Sequence, residues 1–120
     1  MTRSKILLVG KKLAQRIAQI ALEAKAEDIV ILDMRMHVNF CDYFLLCSGL
    51  STVHLKAIAE RIDEDLTKLG VSVQRYQGSV DSAWLLFDFG DVIVHILTED
   101  RRQFYQLEYL WRDAKRISLK

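Results

Sequence analysis

The sequence predicts a single α/β domain, with one mixed β-sheet of about five strands and three main helices packed on it. Three segments repeat apolar residues at helical spacing, and short apolar runs rich in branched and aromatic residues separate them. The chain has 120 residues, of which 51% are hydrophobic and 28% are charged, so it can bury one core of ordinary composition. We therefore expect one domain over 1–120, with frayed ends at 1–10 and 116–120.

The formal net charge of +1 gives no general attraction to nucleic acid or to an anionic membrane, although it leaves room for local basic clusters. The two cysteines, Cys41 and Cys47, fit no metal or redox spacing, and we interpret them as reduced core thiols. No apolar run is long enough to span a bilayer, and no targeting segment is visible. We therefore expect a cytoplasmic protein.

The first third of the chain predicts one helix and two strands. A stripe of apolar residues begins after Lys11 and predicts a helix that ends near 25–27. The runs 28–33 and 42–47 are apolar and too short for helices, so we predict buried strands there. His37, in the connection between them, is interpreted as a loop histidine.

The turn at 48–51 joins the second strand to a second helix. Ser51 or Thr52 can cap this helix, and Gly70 stands where it should end. Free amides at a helix start can also hold a phosphate. A serine cap that follows a glycine is nevertheless the more common use of such a turn.

The rest of the chain predicts three strands and a last helix. The alternating segment 71–76 is typical of an edge strand, and a polar loop follows at 77–82. Two apolar runs then flank Gly90-Asp91, a pair that suits a tight hairpin turn. Thr98 begins a single last helix with the apolar stripe Phe104, Leu107, Leu110, Trp111 and Ala114.

The hairpin carries the most information about function. If its loop is only Gly90 and Asp91, one face is wholly apolar, in the facing pairs Phe89–Val92, Phe87–Val94 and Leu85–Ile96. The other face combines large apolar groups with one acid and one imidazole, in the facing pairs Trp84–Leu97, Leu86–His95 and Asp88–Ile93. This second face either binds a partner or is covered by another layer, as in many α/β domains. In the covered case Trp84 is core and Asp88 is a satisfied acid near the turn.

Little in the sequence supports catalysis. A nucleotidyltransferase needs two carboxylates one residue apart on a strand to hold magnesium, whereas the acids at 63–65 fall inside a predicted helix, where residues two apart diverge. The three histidines are far apart in the sequence, with no pair at i, i+4. We therefore expect no enzyme, no cofactor and no metal site.

Five stretches form a specific combination. Two of them carry most of it: Trp-Leu-Leu-Phe-Asp-Phe-Gly-Asp-Val-Ile-Val-His at 84–95, and Tyr-x-Leu-Glu-x-Leu-Trp at 105–111. The weaker stretches are 26–33, 42–44 with 48–51, and 56–59. Together they resemble the ribosomal silencing factors of the Iojap type, the RsfS family, over about residues 11–115.

The resemblance implies a fold related to nucleotidyltransferases but without their catalytic carboxylates. It also implies a translational repressor that binds the large ribosomal subunit through its L-fourteen protein and sterically blocks the joining of the subunits. Members of the family form homodimers when free, so a homodimer is implied as well. Neither a membrane nor sequence-specific nucleic-acid binding is expected.

The resemblance, with the hairpin pattern, also suggests which residues contact the partner. Trp84 and Leu86 would form an apolar anchor, and Asp88 would pair with a basic group. Glu108 and Trp111 are interpreted as structural residues that dock the last helix. The full expected set is Trp84, Leu86, Asp88 and His95 on the hairpin, Asp42 and Tyr43 at its border, and Tyr105 on the last helix.

Two other functions stay open as alternatives. One is a metal-dependent nucleotidyltransferase. The other is a small interaction domain of some other assembly, including an RNA-binding one. The near-neutral charge weighs against RNA, because neutralisation of phosphates drives such binding.

Overall fold

The computed structural model describes residues 8–79 and 81–120. In them the chain forms four helices and one mixed sheet of six strands. The helices are α1 (Gly10–Glu23), α2 (Thr52–Lys68), α3 (Glu99–Tyr105) and α4 (Leu107–Leu110). The strands are β1 (Glu27–Asp33), β2 (Tyr43–Gly49), β3 (Arg75–Ser79), β4 (Trp84–Asp88), β5 (Val92–Thr98) and β6 (Lys115–Ile117). The predicted fold class is confirmed.

The strands lie in the order β3-β4-β5-β2-β1-β6. The two central strands, β2 and β5, run parallel, and every other neighbouring pair is antiparallel. All of β2 and nearly all of β5 is buried, which explains their continuous apolar sequences. A parallel pair needs a long connection, and α2 is part of it.

The predicted register of the hairpin is confirmed. Trp84 pairs with Leu97, and the pairing continues residue by residue to Asp88 and Ile93. The Phe89 amide donates to the Val92 carbonyl at 2.9 Å, which leaves two residues in the loop.

Helices cover both faces of the sheet, but unequally. On one face α1 and α2 pack over the larger core, which includes Leu85, Phe87 and Val94. On the other face α3 and α4 lie over a smaller core, which includes Leu46, Ile93 and Leu107. Trp84 and Leu86 pack against this smaller core but stay partly exposed. The second face is therefore covered by α3 and α4 over one region and left partly exposed at Trp84 and Leu86.

Side chains satisfy the starts of α1 and α2, whereas Thr98 at the start of α3 makes no capping hydrogen bond. Ser51 caps α2, with its hydroxyl accepting from the His54 amide at 3.2 Å. The Gly10 amide at the start of α1 donates to the Asp91 carboxylate of the hairpin turn. Predicted capping by Ser51 is confirmed, and Asp91 joins the hairpin to α1.

Both ends of the sheet differ from the prediction. The tail expected to fray instead adds a sixth strand, because Lys115–Ile117 pairs with β1. The edge strand is Arg75–Ser79 and not 71–76, so part of the predicted polar loop is strand. Val71 and Val73 lie in the connection between α2 and β3 and pack on the larger core. The apolar alternation at 71–76 therefore comes from this packing and not from strand pairing.

The predicted last helix is two short helices. Gln106, at φ +49°, takes the left-handed conformation and separates α3 from α4. The break changes the phase of the apolar stripe, so Leu107 and Ala114 are buried while Phe104 and Leu110 are exposed. Across the break the buried Arg102 guanidinium donates to Glu108 at 2.8 Å and to the Ser48 hydroxyl at 2.9 Å.

Both predicted thiols are buried and free. Burial raises the pKa of Cys41 to about 11 and that of Cys47 to about 12. Both groups therefore stay protonated at neutral pH, as unreactive core thiols do.

Replacement of Gly78 should destabilise the protein more than replacement of Gly70. Both have left-handed φ, +88° and +81°, but a Cβ on Gly78 would lie 2.1 Å from the Trp84 carbonyl oxygen, whereas Gly70 has nothing within 4 Å. We expect Gly70→Ala to lower the free energy of unfolding by about 1 kcal/mol. Gly78→Ala should cost at least about 2 kcal/mol, since overpacking adds to the strain. Urea unfolding of both variants measures this, and equal losses would contradict it.

Candidate functional site

The candidate site lies where α3 leaves the second face of the sheet uncovered. Trp84, Leu86 and Asp88 alternate along β4 on this face, and each is partly exposed. Gln77 and Ser79 of the edge strand lie beside Leu86 and Trp84 on the same face. The predicted grouping of the three β4 residues on one face is therefore correct.

Trp84 is held in place from two sides. The Tyr105 ring of α3 lies against the indole at 4.6 Å between ring centroids, tilted by 49°. From below, the indole Nε1–H donates to His95 Nδ1 at 3.3 Å. An aromatic side chain fixed in this way loses little further freedom when a partner contacts it.

A groove of about 290 Å³ opens beside the indole. We call it the Trp84 groove, and its lining consists of Gln77, Gly78, Ser82, Trp84, Leu86 and Tyr105. Apolar and aromatic groups alternate in it with amide and hydroxyl groups. Such a surface suits an apolar side chain of a protein partner, with hydrogen bonds at the rim.

His95 is not a surface residue, so its expected contact with a partner is wrong. Only 7% of it is exposed, and the Phe44 ring meets the imidazole edge-on at 4.9 Å. Burial lowers the pKa of His95 to about 4, so the ring is neutral at pH 7. Since Nδ1 accepts from Trp84, the proton is on Nε2, which has no partner among the described residues. His95 supports Trp84 from beneath.

Asp88 has a local role and a free oxygen. Its Oδ1 accepts from the Gly90 amide at 2.7 Å and so stabilises the hairpin turn. Within residues 8–79 and 81–120, no lysine or arginine forms an ion pair with Asp88. The interpretation as a satisfied acid near the turn therefore holds for one oxygen, and the other can accept from a partner.

The two residues expected at the border of the site differ. Tyr43 is buried in the larger core on the opposite face, so its assignment is wrong. The cause is alternation: Phe44, and not Tyr43, shares the face of Trp84. Asp42 is exposed, but it lies at the turn end of the hairpin, where its amide donates to the Asp91 carbonyl at 2.8 Å. It lies near Asp88, away from the Trp84 groove.

Two residues at this site contribute more than the sequence suggested. Tyr105, the one member of the expected set on the last helix, contacts Trp84 directly. Phe104, assigned to the core, is 72% exposed and meets Tyr105 edge-on at 5.1 Å. The sequence signal for these exposed residues was the pair of adjacent aromatic residues, Phe104 and Tyr105. We missed it because Phe104 also fits the apolar stripe of a continuous helix.

Other candidate sites are occupied by local contacts. At the start of α2 the Leu50 amide donates to His54 Nδ1 at 2.9 Å, and the His54 amide donates to the Ser51 hydroxyl. These amides, which could have held an anion, are therefore bonded within the chain. In the part of the chain that the structure describes, no three histidine, cysteine or acidic side chains gather as metal ligands. The same residues contain no helix with the length and apolar character to cross a bilayer.

Comparison with known proteins identifies the family. A model of the family described as "Ribosomal silencing factor during starvation" (RsfS) matches residues 10–120. The ribosomal silencing factor RsfS of Bacillus subtilis is 40% identical over 107 residues, which cover 88% of this chain and 91% of that protein. The RsfS of Halalkalibacterium halodurans is 37% identical over 109 residues, 88% of this chain and 93% of that one.

A solved structure agrees with this. The crystal structure of a protein from Bacillus halodurans matches the fold with a TM-score of 0.79 at 32% identity, covering 91% of this chain and 99% of that chain. The match therefore extends to the arrangement of helices and strands around the site. On these findings, the chain belongs to the RsfS family of ribosomal silencing factors.

Proposed function

We propose that this chain represses translation by binding the L-fourteen protein of the large ribosomal subunit through the Trp84 groove, which blocks subunit joining. Membership of the RsfS family supports a ribosomal role. The observation that carries the choice of surface is the partly exposed Trp84, fixed between Tyr105 and His95 beside an open groove. The proposed place of action is the bacterial cytoplasm, where the subunits join.

Trp84, Leu86 and Tyr105 form the apolar anchor of the proposed contact. Tryptophan and tyrosine are common among the few residues that carry most of the binding energy at an interface. Phe104, the most exposed aromatic group beside them, widens the apolar surface towards α3. A partner that covers these side chains removes their apolar surface from water without having to order them first.

Acidic groups at the turn end of the hairpin orient the partner. Burial is the main cause of the raised pKa of the Cys41 thiol, and the nearby carboxylates of Asp42, Asp88 and Asp91 add to it. The free oxygen of Asp88 is the group best placed to accept from a lysine or arginine of the partner. Such charges improve specificity and the rate of association more than affinity.

The block itself is steric. The folded chain measures 52 × 33 × 24 Å. A molecule of this size on the joining surface would keep the two subunits too far apart for their surfaces to contact each other. No reaction is needed. A homodimer would also have to bury exposed apolar surface, and if it used the Trp84 groove it would compete with the ribosome.

Replacement of Trp84 should abolish most of the binding. Trp84→Ala should raise the Kd for isolated large subunits, measured by co-sedimentation, by about 30-fold or more, which corresponds to about 2 kcal/mol. The matched control is Tyr76→Ala, which removes a half-exposed aromatic residue from the opposite face, where it contacts Phe87. Circular dichroism would verify that both variants fold. A folded Trp84→Ala protein that binds like the wild type would refute the proposed surface.

The support under Trp84 should depend on a neutral His95. The unfolded chain binds a proton at this histidine near pH 6.5, whereas the folded ring does so only at about 4. Between these values the unfolded state binds more protons, so stability is complete above pH 6.5 and is lost as the pH falls. Between pH 7 and pH 5 we expect the wild type to lose about 2 kcal/mol through this group.

Urea unfolding at both pH values measures this loss. The variant His95→Asn keeps an acceptor for the Trp84 N–H but cannot titrate, so its stability should fall by about 2 kcal/mol less over the same range. His37→Asn, in an exposed loop, serves as the control and should follow the wild type. Parallel losses in all three proteins would show that His95 titrates normally.

A further inference from the structure

The near-neutral net charge hides a strong separation of charge along the chain. All 16 aspartates and glutamates lie within residues 23–113, together with 9 of the 17 lysines and arginines. The other 8 basic residues lie in 1–22 and 114–120, where there is no acid. The middle of the chain is therefore acidic, and both ends are basic.

The fold brings α1 and the last basic segment together. The Gln15 side-chain amide of α1 donates to the Ser118 carbonyl at 2.9 Å, and β6 holds the last segment on the sheet. Between them is a cleft of about 280 Å³, which we call the basic cleft. Its lining consists of Leu8, Lys12, Gln15, Arg16, Gln19, Leu119 and Lys120.

The charges of the basic cleft are available to a ligand. Lys12 and Arg16 are exposed, and in the described part of the chain neither forms an ion pair. The lining of the cleft contains no acid. Asp91 accepts from the Gly10 amide at the start of α1, and Glu108 pairs with Arg102 and with Arg116 of the last segment. Like charges four residues apart on a helix are destabilising, so helix stability does not explain this pair.

We propose that the basic cleft binds the phosphate backbone of RNA. Three cationic side chains (Lys12, Arg16 and Lys120) and two side-chain amides suit phosphate oxygens and ribose hydroxyls. No aromatic side chain on which a base could stack lines the cleft. Binding is therefore independent of base sequence. Membership of a ribosomal family favours RNA over an anionic lipid surface as the partner.

The basic cleft is separate from the Trp84 groove. It lies against α1, on the face of the sheet opposite Trp84, and beside β6, at the edge opposite β3. A protein bound in the Trp84 groove therefore leaves the basic cleft open. The RNA contact goes beyond the proposed function and does not depend on it.

Fluorescence anisotropy with a labelled RNA hairpin tests the proposal, over about 50 to about 200 mM KCl. The test variant is Lys12→Gln with Arg16→Gln. The matched control is Lys56→Gln with Arg75→Gln, which removes one exposed lysine and one exposed arginine from the acidic part of the chain. Both double variants change the net charge by the same amount, so a purely global charge effect would be equal in the two.

We expect the test variant to weaken RNA binding about tenfold or more and to lower the salt slope, log Kd against log[KCl], by between about one and about two. The control variant should stay within about twofold of the wild type. Equal losses in the two double variants would overturn the proposal, and so would binding to vesicles of anionic lipid without binding to the hairpin.

Trp84→Ala separates this proposal from the proposed function. It should bind the hairpin like the wild type even where it no longer binds the large subunit. If it loses RNA binding as well, the RNA site is at the Trp84 groove and the basic cleft is refuted. Failure of the subunit experiment alone would leave the RNA result unchanged.

Discussion

The pairing of β4 with β5 decides which side chains line the proposed binding surface. A slip by one residue would turn Trp84 into the larger core and bring Leu85 to the surface. The two-residue turn prevents such a slip, since Asp88 binds the Gly90 amide and Phe89 pairs with Val92. The turn is further tied to α1 through Asp91. The proposed binding surface is therefore a consequence of the register, and the register depends on the turn.

The short helices after β5 complete the site by covering only part of the face. Arg102, buried and bonded to Glu108 and Ser48, fixes α3 and α4 over the smaller core across the break at Gln106. Trp111 meets Phe44 edge-on at 5.8 Å, in agreement with a docking role. This arrangement brings Tyr105 onto Trp84 and leaves the groove open. A continuous helix would carry the chain past Gln106 in another direction. The break at Gln106 is therefore needed to form the site.

Much of this was predictable from the sequence, because local rules dominate in the hairpin. Alternation and a two-residue turn were enough to place Trp84, Leu86 and Asp88 on one face. The burial of His95 was not predictable, since it depends on Phe44 from β2, a strand distant in sequence. The same holds for β6, whose three residues form a strand only because β1 offers a free edge. The apolar periodicity could not reveal the break at Gln106, because a periodic stripe is recognised by assuming one continuous helix.

The groove and the basic cleft lie on opposite faces, so the partner of each can be tested alone. The central claim concerns the groove, and a photo-crosslinking experiment tests it most directly. Benzoylphenylalanine would replace either Tyr105 in the groove or Tyr76 on the opposite face, two tyrosines that are 45% and 51% exposed. After irradiation with large ribosomal subunits, mass spectrometry would identify the crosslinked protein. We predict a crosslink from position 105 to the L-fourteen protein and none from position 76. A crosslink to that protein from position 76 but not from 105 would contradict the account.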